Sequence, residues 1–263
     1  MREGTDRAGH EQAGLSAALR VQSLSKRYGR VEALREVTLE VEASEAFGLV
    51  GANGAGKTTL IKCLLDLAAF DAGAIELFGV DSQVPAARRR LAYLPERFVP
   101  PHYLRGREFV QLMLELAGTR YDAGRARAMQ EALELEGDAL ERAVGKLSKG
   151  MTQKLGLAAC FLLERDLFVL DEPMSGLDPA ARVAVKSVLR RLAGEGRTLL
   201  FTSHVLADVE ELSSSMAVLH RARLRFHGAP RALCARYGEA GLERAFMKCI
   251  RDEPADEPRV ARA

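Results

Sequence analysis

The feature that most constrains the fold is a strand, a glycine-rich loop and a helix that follow one another directly. Residues 47–50 are FGLV, a uniformly apolar run typical of a buried parallel strand. Residues 51–59 are GANGAGKTT, and apolar residues at positions 60, 61, 64, 65 and 68 then recur with helical spacing. A strand that enters a helix in this way is typical of α/β proteins, so the pattern predicts a parallel sheet flanked by helices.

The same loop fits the phosphate-binding spacing GxxxxGK(S/T). Glycines let backbone N–H groups turn inward around phosphate oxygens, Lys57 reaches the β and γ phosphates, and the Thr58 hydroxyl can ligate Mg²⁺. A glycine turn before an ordinary helix is the alternative, but the flanking strand and helix favour a nucleotide site. The predicted nucleotide-binding residues of the loop are Gly51, Asn53, Gly54, Ala55, Gly56, Lys57, Thr58 and Thr59.

Two further groups of polar residues follow apolar strand patterns. Asp171 and Glu172 end the run LFVLDE, and His204 follows the run TLLFTS. Ligands in open α/β sheets bind at the carboxyl ends of strands, so Asp171 is predicted to hold magnesium and Glu172 to activate water. His204 can donate to a γ-phosphate oxygen. Taken alone, an exposed acidic loop and a structural histidine would explain these residues, so the prediction depends on the glycine loop.

The rest of the chain predicts two additions to this core. Residues 19–24 and 36–42 are predicted to form a half-exposed antiparallel pair of strands, since the second alternates apolar and polar residues. Residues 106–163 mostly follow helical spacing and appear as an insertion before strand character returns at 167–171. A helix that begins near Pro179 connects this strand to the next and predicts a βαβ unit.

These patterns divide the chain into four predicted parts. The fold class is α/β, with an antiparallel β subdomain and an inserted α-helical subdomain. The parts are a disordered extension over residues 1–18, a nucleotide-binding domain over 19–228 with the helical subdomain inserted at about 97–163, a helical extension over 229–251 and a polar tail over 252–263.

Composition excludes several classes of function. The chain of 263 residues has 38 basic and 36 acidic residues, so its net charge of +2 gives little reason to expect nucleic acid as a partner. The four cysteines show no CxxC spacing, which favours reduced buried thiols over a metal site. No secretory signal is expected from the charged residues 1–18. The apolar run at 155–163 is too short to span a bilayer, so a membrane role would require a partner.

Taken together, the motifs resemble the nucleotide-binding subunit of an ABC transporter. They are the glycine loop, LSKGMTQK at 147–154, Asp171–Glu172, SGLD at 175–178 and TSH at 202–204, in that order. The resemblance covers residues 19–228 and implies a P-loop NTPase core that binds ATP and Mg²⁺. The region after residue 204 is most similar to subunits of ABC-2 type exporters.

The resemblance also implies roles for residues outside the glycine loop. Tyr28, in SKRYG, matches an aromatic residue that stacks on adenine, and Glu96 stands where the family has a glutamine that senses magnesium and the membrane subunit. LSKGM occupies the place of LSGGQ, which binds the γ-phosphate of ATP held by the opposite subunit of a head-to-tail dimer. The residues assigned to nucleotide by this resemblance are Tyr28, Ser148, Lys149, Gly150 and Asp178; those assigned to metal are Thr58, Glu96 and Asp171.

The start of the LSKGM helix has a physical reason to bind an anion. A lysine and a glycine after the capping serine are unfavourable for an isolated helix, whose first turn prefers negative charge. Ser148, Gly150 and the exposed N–H groups instead form a positive helix end suited to the partner's phosphate, and Lys149 adds to it. A lysine on an ordinary solvated helix end is the alternative.

Several positions depart from the family's pattern. Lys149 replaces glycine, Met151 and Glu96 replace glutamine, Ala52 stands where proline is common and Ser44 where glycine is usual. No essential phosphate ligand is lost, and a carboxylate at position 96 can still accept from water or approach magnesium. We expect these departures to affect the strength of dimer closure and the rate at which ATP hydrolysis is coupled to transport.

The sequence therefore predicts an ATPase subunit that dimerises on ATP with a second copy or a paralogue and drives a separate membrane permease, as an exporter. It would lie in the cytoplasm, on the inner face of the membrane. A soluble, non-transport ATPase of the same superfamily is the first alternative; a long coiled-coil insertion or two nucleotide domains would support it, and neither is present. A regulatory ATP-binding module is the second, against which the intact Lys57, Asp171, Glu172 and His204 argue.

Overall fold

The computed structural model describes residues 17–252, which contain ten strands and eight α-helices. The strands are β1 (Ala17–Tyr28), β2 (Val31–Glu42), β3 (Ala46–Val50), β4 (Ala72–Leu77), β5 (Val80–Asp81), β6 (Leu91–Leu94), β7 (Leu167–Leu170), β8 (Thr198–Thr202), β9 (Ser215–His220) and β10 (Arg223–Gly228). The helices are α1 (Lys57–Leu64), α2 (Gly106–Leu116), α3 (Ala123–Ala132), α4 (Lys149–Leu162), α5 (Pro179–Gly194), α6 (Leu206–Leu212), α7 (Pro230–Tyr237) and α8 (Leu242–Arg251).

A six-stranded sheet forms the centre of the fold. Its order is β10-β9-β3-β8-β7-β6; β9, β3, β8, β7 and β6 pair in parallel, and β10 is an antiparallel edge. All residues of β3, β7 and β8 are buried, which explains their continuous apolar sequences. Successive side chains face opposite layers: Leu167 and Val169 pack with the antiparallel sheet, whereas Phe168 and Leu170 pack with the helices.

A four-stranded antiparallel sheet, in the order β2-β1-β4-β5, covers one face of the central sheet through α1. The predicted pair of strands is present but longer than its apolar alternation indicated. Ala17 and Ala18 are buried in β1, where Ala17 pairs with Glu42, so the predicted extension over 1–18 overruns the strand by two residues. The remainder of that prediction, like most of the predicted tail, lies outside the described residues.

The segment between β6 and β7 is helical, as its spacing predicts. Helices α2 and α3 pack on α4, and α4 returns to the central sheet beside β6. The helices α7 and α8 form a hairpin against α6 and β10, within the predicted extension over 229–251. Among the described residues, no helix is long and apolar enough to cross a membrane.

The architecture agrees with the predicted α/β class and its two added subdomains. Strands β4 and β6 were not predicted, because AGAIEL and LAYL are short runs without a clear alternation. The four cysteines are free thiols, as predicted; Cys63, Cys160 and Cys249 are buried. Burial raises the pKa of Cys160 to about 12, so this thiol is unreactive at neutral pH.

Candidate active site

One edge of the central sheet brings the predicted catalytic motifs together. The neighbouring strands β3, β8, β7 and β6 are parallel, so their carboxyl ends meet at this edge. β3 leads into the glycine loop, β7 into Asp171 and Glu172, β8 into His204, and β6 into Glu96. More than a hundred residues separate the glycine loop from Asp171 and Glu172 in the sequence, and the order of the strands makes them neighbours.

The glycine loop has the tight backbone that a phosphate cradle needs. At Gly51, a Cβ atom would lie 2.4 Å from the carbonyl oxygen of Leu219, so no larger residue fits. Gly56 has a φ of +113° and caps the start of α1, a left-handed conformation that favours glycine. The first turn of α1 carries no acidic residue, which leaves its N–H groups open to an anion.

Lys57 lies across this loop. Its Nζ donates to the carbonyl oxygens of Gly51 at 2.6 Å and Ala52 at 3.4 Å. The ammonium group is therefore held above the loop by backbone acceptors at the position from which it would contact a bound phosphate. The side chain is only partly buried, so it can exchange these carbonyls for phosphate oxygens.

The Asp171 carboxylate connects the loop to the next two strands. Its Oδ2 accepts a hydrogen bond from the Thr58 hydroxyl at 3.4 Å, and its Oδ1 accepts one from the Thr202 hydroxyl at 2.7 Å. Asp171 is 2% exposed and its N–H donates to the carbonyl oxygen of Leu94 at 2.9 Å. The carboxylate is thus fixed on one side and faces the loop with the other.

Glu172 and His204 form a pair beside it. Oε2 of Glu172 lies 2.8 Å from Nδ1 of His204, and the two side chains are 11% and 62% exposed, respectively. A carboxylate only accepts hydrogen bonds, so Nδ1 carries the proton and Nε2 is left to face a ligand. Glu172 has a φ of +51°, a conformation that is uncommon for a residue with a side chain and is often found at active sites.

These groups line one open cavity of about 630 Å³. It contains most of the residues predicted for the site. Its predicted lining residues are Asn53, Gly54, Ala55, Gly56, Lys57, Thr58, Thr59, Glu96, Asp171, Glu172 and His204. The cavity is also lined by Val31, Glu32 and Ala33 of β2, which no motif indicated.

Tyr28 lies beside this cavity without lining it. It ends β1, and its register partner Val31 is one of the lining residues. The ring is 48% exposed, and the Lys26 ammonium lies 4.9 Å from its centre. An exposed aromatic ring next to a phosphate-binding loop is available for stacking, and its role stays a prediction.

The LSKGM segment lies away from the cavity, at the start of α4. The Ser148 hydroxyl accepts from the Met151 N–H at 3.2 Å and caps the helix as predicted from its sequence. Lys149 folds over the SGLD turn: its Cε would lie 3.1 Å from a Cβ placed on Gly176. Ser148, Lys149 and Gly150 therefore do not meet the chain's own glycine loop; their predicted contact with a partner's nucleotide is untested.

Asp178 is engaged within its own chain. Its Oδ1 accepts from the Ala181 N–H at 2.9 Å and caps α5. This backbone hydrogen bond lowers the pKa of Asp178 from its usual value, and the positive charge of Lys154 adds to the effect. Oδ1 of Asp178 is therefore occupied by the helix cap, and the predicted contact of Asp178 with nucleotide stays a prediction.

Three features near the site were not predicted from the sequence. The buried amide of Gln153 on α4 donates to the carbonyl oxygen of Pro173 at 3.1 Å, which ties the LSKGM helix to the chain just after Glu172. Burial raises the pKa of Tyr93, in β6, to about 12, and the negative charges of Asp171 and Glu96 add to the effect. Thr202 bridges Asp171 and Glu172. Thr202 and Tyr93 lie on β8 and β6, the two strands that flank β7 and its Asp171, so the order of the strands is the signal that could have indicated them.

The oxygen atoms at this edge fit a magnesium ion. The Thr58 hydroxyl and Oδ2 of Asp171 face each other, and Glu96 lines the same cavity. Within residues 17–252, no three His, Cys, Asp or Glu side chains are grouped closely enough to hold a metal by themselves. A site with one carboxylate and one hydroxyl suits Mg²⁺ that is carried in with phosphate oxygens and water.

Comparison with protein families agrees with this geometry. A family model described as ABC transporter matches residues 34–175. The chain is 37% identical over 221 residues to Nod factor export ATP-binding protein I of Burkholderia orbicola, covering 82% of this chain and 72% of that protein. It is 33% identical over 213 residues to the bacitracin transport ATP-binding protein of Enterococcus faecalis, covering 78% and 67%, respectively.

A further relative is longer than the matched region. The chain is 34% identical over 207 residues to an uncharacterized ABC transporter ATP-binding protein of Synechocystis sp., which is 76% of this chain. The match spans 57% of the length of that relative. The shared part therefore concerns the nucleotide-binding domain, and the rest of that relative has no counterpart in the match.

Solved structures share the fold over most of the chain. An ATP binding subunit of an ABC transporter superposes with a TM-score of 0.78 at 32% identity, covering 88% of this chain and 99% of that chain. A dimeric ATP-binding cassette bound to ADP and Pi superposes with a TM-score of 0.73, covering 80% and 98%. At 18% identity, this second similarity concerns the fold alone.

Proposed function

Since the chain belongs to the ABC transporter family of ATP-binding proteins, as its motifs predicted, we propose that it is the ATP-hydrolysing subunit that powers a separate membrane permease. The observation that carries this proposal is the single cavity in which the glycine loop, Asp171, Glu172 and His204 meet. A module that only bound ATP would not need a carboxylate and a histidine paired beside the phosphate loop.

Binding of the triphosphate follows from the loop. The N–H groups at the start of α1 and the glycine loop face phosphate oxygens, and Lys57 exchanges its carbonyl contacts for the β and γ phosphates. Tyr28 is placed beside the cavity, where its ring stacks on the adenine. These contacts fix the γ-phosphate near the ends of β7 and β8.

Hydrolysis then requires a base and a donor. Glu172 accepts a proton from the attacking water, because its carboxylate is the acidic group next to the proposed metal ligand Asp171. In the doubly protonated form of its ring, His204 orients Glu172 through Nδ1–H and donates from Nε2–H to the γ-phosphate, whose charge increases as the bond breaks. The left-handed backbone of Glu172 holds its carboxylate toward the cavity and not along the strand.

Magnesium completes the proposed site. Thr58 and Asp171 would hold the ion, and Glu96, which lines the same cavity, would accept hydrogen bonds from water beside it. When bound, the metal would neutralise negative charge on the triphosphate. Asp171 is suited to this role because Thr202 already occupies its Oδ1 and leaves Oδ2 toward the loop.

The second half of the site comes from another subunit, either a second copy or a paralogue. Ser148, Lys149 and Gly150 lie away from the chain's own cavity and present a helix start without acidic residues. A head-to-tail dimer places this helix start on the partner's γ-phosphate. Asp178 belongs to the same interface, where it lies beside the LSKGM helix through Lys154.

Coupling to the permease is proposed for the surface that follows Glu96. The exposed large apolar side chains of this segment are Val99, Tyr103, Leu112 and Leu116, and the last two lie on one face of α2. Such a patch on a helical insertion suits a short helix of a membrane protein. The subunit is therefore recruited to the inner face of the membrane through its permease. The names of the Nod factor and bacitracin relatives support export.

Phosphate release tests the proposal. The purified chain with Mg²⁺ and ATP should release phosphate, and Lys57→Ala should release almost none, because the triphosphate loses its main cationic contact. Thr59→Ser serves as a control in the same loop, since it keeps a hydroxyl. Equal rates for wild type and Lys57→Ala would contradict a catalytic role for this cavity. A hydrolysing chain that never associates with a permease would instead favour the soluble ATPase.

A further inference from the structure

The Thr202 hydroxyl connects the two acidic residues of the site. It lies at the carboxyl end of β8 and is 0% exposed. Its Oγ1 accepts from the Glu172 N–H at 2.7 Å and donates to Oδ1 of Asp171 at 2.7 Å. A hydroxyl has one proton, so the donor and acceptor assignments are fixed: the proton goes to the carboxylate and a lone pair faces the amide.

Both contacts constrain groups that would react. The bond to Asp171 occupies Oδ1, and so turns Oδ2 toward the Thr58 hydroxyl. The bond to the Glu172 amide holds a residue whose φ is +51°, a sparsely populated conformation that persists only when its surroundings fix it. One buried side chain therefore constrains the carboxylate of Asp171 and the backbone of Glu172.

We propose that Thr202 is a positioning residue that aligns Asp171 for the metal and Glu172 for the attacking water. The inference rests on the proposed function, because it assigns Thr202 to the same site. Thr202 acts through Asp171 and Glu172 and does not touch the nucleotide. This role requires the hydroxyl group of Thr202, which makes both hydrogen bonds, and does not require its methyl group.

Removal of the Thr202 hydroxyl should weaken the response to Mg²⁺ and leave metal-free ATP binding unchanged. In Thr202→Val the buried Glu172 N–H loses its acceptor, and Oδ1 of Asp171 loses its donor. The Asp171 carboxylate is then free to rotate, so that its Oδ2 no longer faces the Thr58 hydroxyl. Glu172 can relax from its left-handed backbone conformation. ATP without metal still binds to the glycine loop, which Thr202 does not contact.

The same strand provides a matched control. Thr198 begins β8, is 2% exposed, and its Oγ1 accepts from the Ser44 N–H at 3.0 Å. Thr198→Val therefore removes a buried hydroxyl of the same type from the same face of the same strand. It does so at the end of the strand that is remote from Asp171.

The experiment measures ATP binding by calorimetry with EDTA and with increasing Mg²⁺, together with kcat and KM for phosphate release. In Thr202→Val, kcat should fall roughly 10- to 100-fold as two buried hydrogen bonds are lost, and half-saturation should need more Mg²⁺. ATP affinity in EDTA should stay at the wild-type value. Thr202→Ser should restore both properties, and Thr198→Val should change neither.

Two results would overturn the inference: wild-type Mg²⁺ dependence and kcat in Thr202→Val, or the same changes in Thr198→Val. If Thr202→Val does not fold, Thr202→Ala removes the same hydroxyl and carries the same expectations, so wild-type Mg²⁺ dependence and kcat in Thr202→Ala would contradict the role. Absence of hydrolysis by the wild type would count against the proposed function alone, since the Mg²⁺ titration of binding still tests Thr202.

Discussion

At the scale of the residue, the site depends on a few side chains whose partners are already fixed without a ligand. Glu172 is held by His204 at its carboxylate and by Thr202 at its amide. Asp171 is held by Thr202 and by the neighbouring strand β6. Such preorganisation lowers the reorganisation that the reaction would otherwise require.

Glu172→Gln should separate binding from turnover. Glutamine keeps the shape of the side chain and a hydrogen-bonding oxygen but cannot accept a proton, so ATP affinity should persist while phosphate release falls at least about 100-fold. Calorimetry and a phosphate-release assay measure the two properties on one preparation. Near-normal turnover by this variant would remove Glu172 from the role of base.

Tyr28 should determine nucleotide affinity. Stacking of a base on an aromatic ring contributes about 1–3 kcal/mol, so Tyr28→Ala should weaken ATP binding roughly 5- to 150-fold. Tyr28→Phe keeps the ring and should bind almost as wild type does. Equal affinities for wild type and Tyr28→Ala would show that the exposed ring does not contact adenine.

At the scale of the element, the ends of helices carry functional groups. Ser148 caps α4 and Asp178 caps α5, and each side chain accepts a hydrogen bond from a backbone N–H group of its helix. The Ala181 N–H lowers the pKa of Asp178, so the ionised carboxylate is the form that stabilises α5. This contribution is present above the unfolded pKa and is lost as pH falls through the lowered folded value.

Asp178→Ala should therefore lower the urea midpoint of the nucleotide-free chain at pH 7, and the difference from wild type should shrink as pH falls below about 4. Asp178→Asn keeps an oxygen acceptor at the cap but removes its charge, so its midpoint at pH 7 should lie between those of Asp178→Ala and wild type. Chemical unfolding followed by circular dichroism gives the midpoints. A difference of the same size at pH 7 and pH 3 would mean that the charge of the cap contributes nothing.

The apolar face of α2 offers a test of coupling. Leu116 is 75% exposed in the proposed permease surface, and Leu67, in the turn that follows α1, is 67% exposed. Leu116→Glu should abolish co-purification with the permease because it places a charge in an apolar contact, and it should leave ATPase activity of the isolated subunit unchanged. Leu67→Glu is the matched control. Recruitment that survives Leu116→Glu and Leu112→Glu together would place the coupling surface elsewhere.

Much of the site could be predicted from the sequence because its motifs sit at strand ends. The apolar runs before Gly51, Asp171 and Ser203 mark strands, and parallel strands place their carboxyl ends at one edge. Thr202 could not be assigned in the same way, because a threonine that ends a buried strand has no pattern of its own. Its role depends on the strand order β3-β8-β7, which is set by tertiary packing.

The antiparallel β subdomain contains strands that local sequence patterns do not predict. Strands β4 and β5 complete the antiparallel sheet, yet AGAIEL is only partly apolar, and β5 has two residues. β4 pairs with β1, which is distant in the sequence, and β5 pairs with β4, so the formation of β4 depends on contacts that no local pattern shows. By contrast, α4 and α5 were predicted with their starts, since Ser148 and Pro179 are strong local signals.

At the scale of the whole molecule, the proposed site has two parts that a single copy of the chain does not bring together. The cavity at the sheet edge holds Lys57, Asp171, Glu172 and His204, whereas the α4 start holds Ser148 and Lys149 elsewhere. A second copy in head-to-tail orientation would complete both. Lys149 would then leave Gly176 and add a positive charge near the partner's γ-phosphate.

The most direct test of this account is ATP-dependent dimerisation of the Glu172→Gln variant, followed by light scattering. Because the variant binds ATP without hydrolysing it, the mass should double at saturating Mg·ATP. It should stay monomeric when Lys149→Glu or Ser148→Arg is added, whereas Lys149→Gly should still dimerise. A Glu172→Gln chain that binds ATP and stays monomeric, or dimers that form equally well with Ser148→Arg, would contradict the account that two copies share each nucleotide.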